Sequence, residues 1–128
     1  MSTSTAAELI AAAKRHVEGL SAEQVAGEIA EGRALLVDLR EPDERISSGV
    51  IPGAVHAPRG MLEFYADPTC PYHRPEFDPD GRVILYCAAG SRSALGADTL
   101  QRLGYTNVAH LDGGVKAWMA AGQPIDFD

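Results

Sequence analysis

The residues best equipped for chemistry stand together in CAAGSRS, residues 87 to 93. A cysteine is a weak nucleophile while its pKa stays near about 8.5, because little of it is thiolate at neutral pH; a helix N-terminus or a nearby cation lowers that value to roughly 3.5 to 7.5. The stretch supplies both devices. Ala88, Ala89 and Gly90 are small enough for the backbone to curl tightly after Cys87, and Gly90 can take a positive φ that a larger residue resists. A helix opening at Ser91 or Arg92 would aim its unpaired N–H groups back into that curl. Ser91 or Ser93 could cap that helix or donate to a bound oxyanion, and Arg92 adds a permanent charge with a planar fork of donors. A cysteine at the end of a buried strand is usually a small core hydrophobe. Burial explains neither the glycine turn nor the arginine, so the pattern points to an anion-stabilising loop around a reactive thiol.

Such a loop needs a strand to hold its cysteine and a helix to charge it. VILYC, residues 83 to 87, is the clearest strand of the chain. Ser91 through Leu103 reads as a helix with Ala94, Leu95, Leu100 and Leu103 facing inward and Gly104 as a left-handed stop. Upstream, ALLVD (34 to 38) is an apolar run ending in a carboxylate, the pattern of a strand buried on both faces of a parallel sheet. Ala6 to Glu18 carries Leu9, Ile10, Ala13 and Val17 at helical spacing before Gly19. A second helix runs from the Ser21/Gln24 capping-box spacing to Gly32, with Val25 and Ile29 as its apolar stripe. EPDERISSG turns back as a short helix, AVHAP is a short strand, and PRGMLEFYA is another short helix led by Pro58. NVAHL is a further strand, and VKAWMAAG a last helix whose Trp118 plugs the core. Four prolines make Asp67 to Gly81 a loop, long enough to suggest a lid or a binding edge. This alternation implies an α/β fold, a mainly parallel central sheet of about five strands with helices on both faces. Ligands of such sheets sit at the carboxyl ends of the strands, where Cys87 and Asp38 both stand.

Bulk composition bounds the rest. At 128 residues the chain is one domain in size. Its 18 acidic residues against 11 basic ones, a formal charge of -7, argue against a nucleic-acid partner. No basic leader precedes the first apolar residues, Lys14 and Arg15 break that run, and nowhere do about 18 apolar residues follow one another. Neither secretion nor a membrane span is expected, and a cytoplasmic location is. A stable disulfide between Cys70 and Cys87 is not the first reading, because a cytosolic thiol is more often inert, metal-bound or catalytic. Cys70, in the proline-rich PTCPYHRPEF, reads as an idle loop thiol, or as a resolving partner for Cys87 should that loop fold over the site. Cys70 and His73, with Cys87 and His56, are ligand types, but unrelated loops would have to converge, so no metal is expected. His73 reads as solvated, His16 and His110 show no partner pattern, and Tyr86 reads as wall.

With its strand before and helix after, CAAGSRS resembles the active-site loop of the rhodanese-like sulfurtransferases. LVDLR (36 to 40) is similar to that family's strand ending in Asp-x-Arg, and LDGGVKAW (111 to 118) to its Gly-Gly-x-x-x-Trp ending. GVIPGAVHAP (49 to 58) resembles its Gly-His-Ile-Pro-Gly-Ala segment, with Val50 where the family usually has histidine. The likeness runs from about Ser21 to Gln123, dividing the chain into an N-terminal helical extension (1–20) and a rhodanese-like domain (21–128).

The resemblance implies a ping-pong transfer of sulfane sulfur through a persulfide on catalytic Cys87. Ala88, Ala89, Gly90, Ser91, Arg92 and Ser93 would form the substrate- and anion-binding loop. Asp38 and Arg40 would stand behind the site or at its rim, or form a structural ion pair. The donor would be thiosulfate or another persulfide, the acceptor a thiol, cyanide or a protein, with no cofactor. A related phosphatase or arsenate reductase is the nearest rival, but those loops place five residues between cysteine and arginine. Here four intervene, Ala88 to Ser91, which suits a single sulfur better than a tetrahedral phosphate. A regulatory binding module usually lacks the nucleophile that Cys87 supplies, whereas a persulfide carrier would use that same residue. Arg92 is the loop's only cation, which leaves the donor open.

Overall fold

The computed structural model describes residues 3–127. Five strands form one parallel sheet in the order β1-β5-β4-β2-β3, where β1 is Glu18–Leu20, β2 Ala34–Asp38, β3 Val55–His56, β4 Arg82–Tyr86 and β5 Val108–Leu111. The helices are α1 (Ala6–His16), α2 (Ala22–Glu31), α3 (Pro42–Ser48), α4 (Leu62–Ala66), α5 (Ser91–Arg102) and α6 (Gly114–Ala120), with one 3₁₀ turn at Arg59–Met61. None among the described residues is long and apolar enough to cross a membrane.

Central β4 shows why its sequence is apolar without alternation. Val83 and Leu85 pack with Leu62 and Ala66 of α4 and Ala97 and Leu100 of α5. Ile84 and Tyr86 pack on the other face with Val25 of α2 and Val115 and Trp118 of α6. Each fully buried aliphatic side chain of this kind stabilises the fold by about 1.5–3 kcal/mol, so losing either face would be decisive. Gly96 lets α5 lie close to the sheet: a Cβ there would come within 2.9 Å of Leu39 and 3.1 Å of Leu85. Trp118 donates its indole N–H to the Pro124 carbonyl at 2.7 Å, which ties the tail to the core it plugs.

The capping box expected on α2 is present: the Gln24 amide donates to Ser21 Oγ at 3.1 Å, and the Ser21 amide donates to Gln24 Oε1 at 2.8 Å. Other expectations need correction. α1 ends at His16, and Glu18–Leu20 pairs as an edge strand with β5, setting Gly19 opposite His110. Leu9 is 53% exposed and Leu103 36%, because α1 turns its buried Ala13 inward and the chain leaves α5 at Leu103. Residues 67–81 are a chain of turns pinned by buried Phe77. The Arg74 guanidinium there donates to the His56 carbonyl at 3.1 Å and lies over the Tyr65 ring. His73 is held at 3.0 Å from the Phe77 carbonyl rather than solvated. At Val50, an antiparallel bridge with Asp126 draws the tail against the chain through two 2.8 Å hydrogen bonds.

Candidate active site

β4 delivers Cys87, fully buried, to the carboxyl edge of the sheet, and α5 begins four residues later. Gly90 caps α5 with a φ of 105°, a left-handed turn that carries the backbone round the sulfur. The amides of Gly90 and Ser93 donate to Cys87 Sγ at 3.2 and 3.3 Å, and Ser93 Oγ lies 3.6 Å away. Burial pushes the Cys87 thiol up, but hydrogen bonds from the Ser93 side chain and from the amides of Ser93, Gly90 and Ala89 outweigh it. Its pKa therefore lies below the ordinary thiol value.

The far side of the loop is fixed by α6. Val115 N–H donates to the Cys87 carbonyl at 2.9 Å and Lys116 N–H to the Ala88 carbonyl at 3.2 Å, so the opening amides of α6 clamp the loop. Close approach explains the paired glycines of LDGGVKAW. A side chain at Gly114, whose φ is 64°, would run into the Ala88 carbonyl.

Arg92 turns to α3, where its two terminal nitrogens donate to Glu44 Oε1 and Oε2 at 2.7 and 2.8 Å. Glu44 Oε1 also accepts from the Glu41 amide at 3.0 Å. The Arg92 guanidinium, helped by the Glu41 amide and outweighing partial burial, holds the Glu44 carboxyl down at about 2. A hollow of about 380 Å³ lies beside the loop, lined by Ala88, by Glu44, Ser47 and Ser48 of α3, and by Lys116 and Met119 of α6. Lys116, which sequence reasoning missed, pairs with no carboxylate among the described residues. No residue of 67–81 lines this hollow, and Cys70 and Cys87 are both free thiols.

Asp38 and Arg40 form a buried, bidentate pair. Arg40 Nε donates to Asp38 Oδ1 at 3.0 Å and Nη2 to Oδ2 at 2.9 Å, while Nη2 also donates to the Gly49 carbonyl at 2.7 Å. The Tyr86 hydroxyl donates to Asp38 Oδ2 at 3.0 Å and accepts from the Ile51 amide at 3.2 Å. Burial and the Asp38 charge push that phenol up to about 12. Arg45 Nε sits 3.2 Å from Asp38 Oδ2 in ion-pair rather than hydrogen-bond geometry. The cluster ties β2, β4, α3 and residues 49–51 together behind the loop. His56 bonds to the Arg40 carbonyl at 2.6 Å, and no group of three or more His, Cys, Asp or Glu is placed to hold a metal among the described residues.

His110, which shows no partner pattern in the sequence, has a partner in the fold. His110 of β5 is 2% exposed, and its Nδ1 lies 2.9 Å from Ser93 Oγ, behind Cys87. A histidine in a strand otherwise composed of Val, Ala and Leu was the available signal.

This architecture can be set beside known proteins. Over 91 residues the chain is 37% identical to a sulfurtransferase of Allochromatium vinosum, covering 71% of this chain and 77% of that one. A Rhodopseudomonas palustris structure, of unknown function and described as a possible tyrosine phosphatase, superposes with a TM-score of 0.92 at 39% identity, covering 98% of this chain and 97% of that one. The human single-domain sulfurtransferase superposes with a TM-score of 0.69 at 25% identity, covering 81% of this chain and 96% of that one. Residues 21–121 match the family model of the Rhodanese-like domain, and the chain belongs to that family.

Proposed function

We propose that the protein is a sulfurtransferase that carries sulfane sulfur as a persulfide on Cys87. The observation that supports this best is the pair of amides donating to Cys87 Sγ at 3.2 and 3.3 Å, with the Ser93 hydroxyl 3.6 Å from the sulfur and only four residues between Cys87 and Arg92. Such donors favour the thiolate and, after transfer, the persulfide anion. The thiolate attacks the transferable sulfur of the donor; a new S–S bond forms, the donor's S–S or C–S bond breaks, and its electron pair leaves with sulfite, a thiolate or, from mercaptopyruvate, the enolate of pyruvate. An acceptor thiolate, cyanide or a protein cysteine then attacks the outer sulfur of the persulfide and restores the Cys87 thiolate.

The pairing of Arg92 with Glu44 favours a persulfide over thiosulfate as donor, because the loop's guanidinium is already matched by a carboxylate. Intact-mass measurement after exposure to thiosulfate, mercaptopyruvate or an alkyl persulfide tests the reading. Addition of one sulfur that disappears in Cys87→Ser is expected; no addition from any donor would sink it. The description of the Rhodopseudomonas neighbour makes a phosphatase the second reading. Cys87-dependent turnover of an aryl phosphate would favour it, against the shortness of the loop.

A further inference from the structure

Cys87, Ser93 and His110 are all buried, with Ser93 in contact with each of the other two. Sγ to Oγ is 3.6 Å and Oγ to Nδ1 is 2.9 Å, so one hydroxyl touches both the thiol and the imidazole. A serine hydroxyl has one proton to give. While Nδ1 of neutral His110 accepts that proton, Ser93 Oγ accepts from the Cys87 S–H. Once sulfur is thiolate, the hydroxyl proton is wanted on the sulfur side, and Ser93 can turn only if Nδ1 carries a proton of its own. The ionisation of Cys87 is thereby tied to the state of a ring on another strand.

We propose that these three residues form a proton relay in which His110 takes the Cys87 proton through Ser93, making His110 a positioning residue that sets the ionisation of the reacting thiol. The S–H bond breaks as an O–H bond forms on Ser93, and the former hydroxyl proton makes the N–H bond at Nδ1. Serine ends neutral, sulfur is a thiolate, His110 is an imidazolium, and no electrons change hands. The proton stays on the ring, so the thiolate is held opposite an imidazolium with Ser93 between them, and Nε2 lies on the ring's outer edge. That edge of the ring faces Gly19 of exposed edge strand β1, where a Cβ would lie 3.7 Å from Nε2.

The surroundings leave the ring uncharged and open to a proton, while burial opposes the charge it then carries, so the hydrogen-bonded contact with Ser93 must favour the transfer. Burial pushes the His110 imidazole down, so it rests neutral; Asp112 works against burial and Lys14 with it. Asp112 follows β5 and Lys14 belongs to α1, and the two pair at 3.5 Å, leaving little net charge on the ring. Of the other elements against the ring, α5 presents Ser93, β1 sets Gly19 and β4 sets Leu85 opposite His110, and none of these three is charged.

The relay rests on Cys87 as the reacting thiol, and its test needs no sulfur donor. Iodoacetamide alkylation, followed against pH by peptide-resolved mass spectrometry to separate Cys87 from Cys70, reads the thiolate directly. His110→Asn keeps a hydrogen-bonding atom at the place of Nδ1 but cannot take a proton. We expect its alkylation midpoint to rise by about one pH unit, which is ~tenfold less thiolate below both midpoints, with equal rates at high pH. Ser93→Ala should shift it similarly, and the double variant no further. A wild-type profile in His110→Asn, or additive shifts, overturns the relay and leaves sulfur transfer standing.

Ring-labelled histidine in the unmutated protein gives a reading that survives misfolding of a variant. The His110 nitrogen resonances should move with the Cys87 midpoint, a coupled titration, and lose that step in Cys87→Ser. A His110 signal indifferent to that midpoint overturns the proposal. Normal coupling with no sulfur taken up would refute sulfur transfer alone.

Discussion

Arg92 gives both terminal nitrogens of its guanidinium to Glu44, at 2.7 and 2.8 Å, across 48 residues of sequence. The same carboxylate receives the Glu41 amide at 3.0 Å, so the N-terminal turn of α3 and the cysteine loop share one anchor.

Glu44→Gln should therefore change donor preference. The amide keeps the size but removes the charge, releasing Arg92 toward an anionic donor. We expect kcat/KM for thiosulfate to rise about fivefold, the scale of one partly exposed ion pair, with a smaller change for an alkyl persulfide, which carries one negative charge against thiosulfate's two. An unchanged ratio between the two donors would show that Glu44 does not set the choice.

Acid should weaken the fold through the same residue. Glu44 titrates at about 2 in the folded chain against 4.5 for the free side chain, so the folded state binds fewer protons between those values. Its contribution is fully present above 4.5 and is lost as pH falls through about 2. Urea denaturation at about pH 7 and about pH 3 should show a smaller drop in stability for Glu44→Gln than for the parent.

Asp38→Asn should cost far more than a surface change, because it leaves Arg40, 1% exposed, beside a neutral partner. We expect a loss of about 3–5 kcal/mol by chemical denaturation. Replacing both, with Arg40→Met added, should recover part of it; a double variant less stable than Asp38→Asn alone would contradict the ion-pair account.

Gly114→Ala should separate activity from stability. Its Cβ would meet the Ala88 carbonyl, whereas a Cβ at Gly122, where φ is 74°, meets nothing within 4 Å. Both variants carry left-handed strain of about 1–2 kcal/mol. Only Gly114→Ala should also slow turnover, by about tenfold or more, since small displacements of a reacting group are costly. Equal turnover in the two would show that the loop tolerates movement of α6.

These relationships divide by how far they reach along the chain. β2 was legible to the residue, because Ala34–Asp38 is apolar until its terminal carboxylate, and α5 was legible from Gly90 and the serines after it. Glycine turns, capping residues and buried strands act locally. β1 escaped because it is three residues long with two of them exposed, and its strand character comes from pairing with β5. Glu44 looked like any acidic residue of a first helical turn, since nothing near it in sequence announces Arg92. His110 was passed over because a buried histidine is recognised by its partner, and Ser93 is supplied by another element. Lys116 reaches the hollow only through the turn that starts α6.

The clamp that α6 places on the Cys87 and Ala88 carbonyls bears on the order in which the loop is secured. As the chain grows, β4 and most of α5 can form before Gly113 exists, yet the loop between them has no α6 amides to receive its carbonyls. The thiol is held in its final setting only when the last helix docks. The loop that carries the sulfur is therefore the part of the fold whose backbone partners come last in the chain, and it is held from both sides only when α6 is in place.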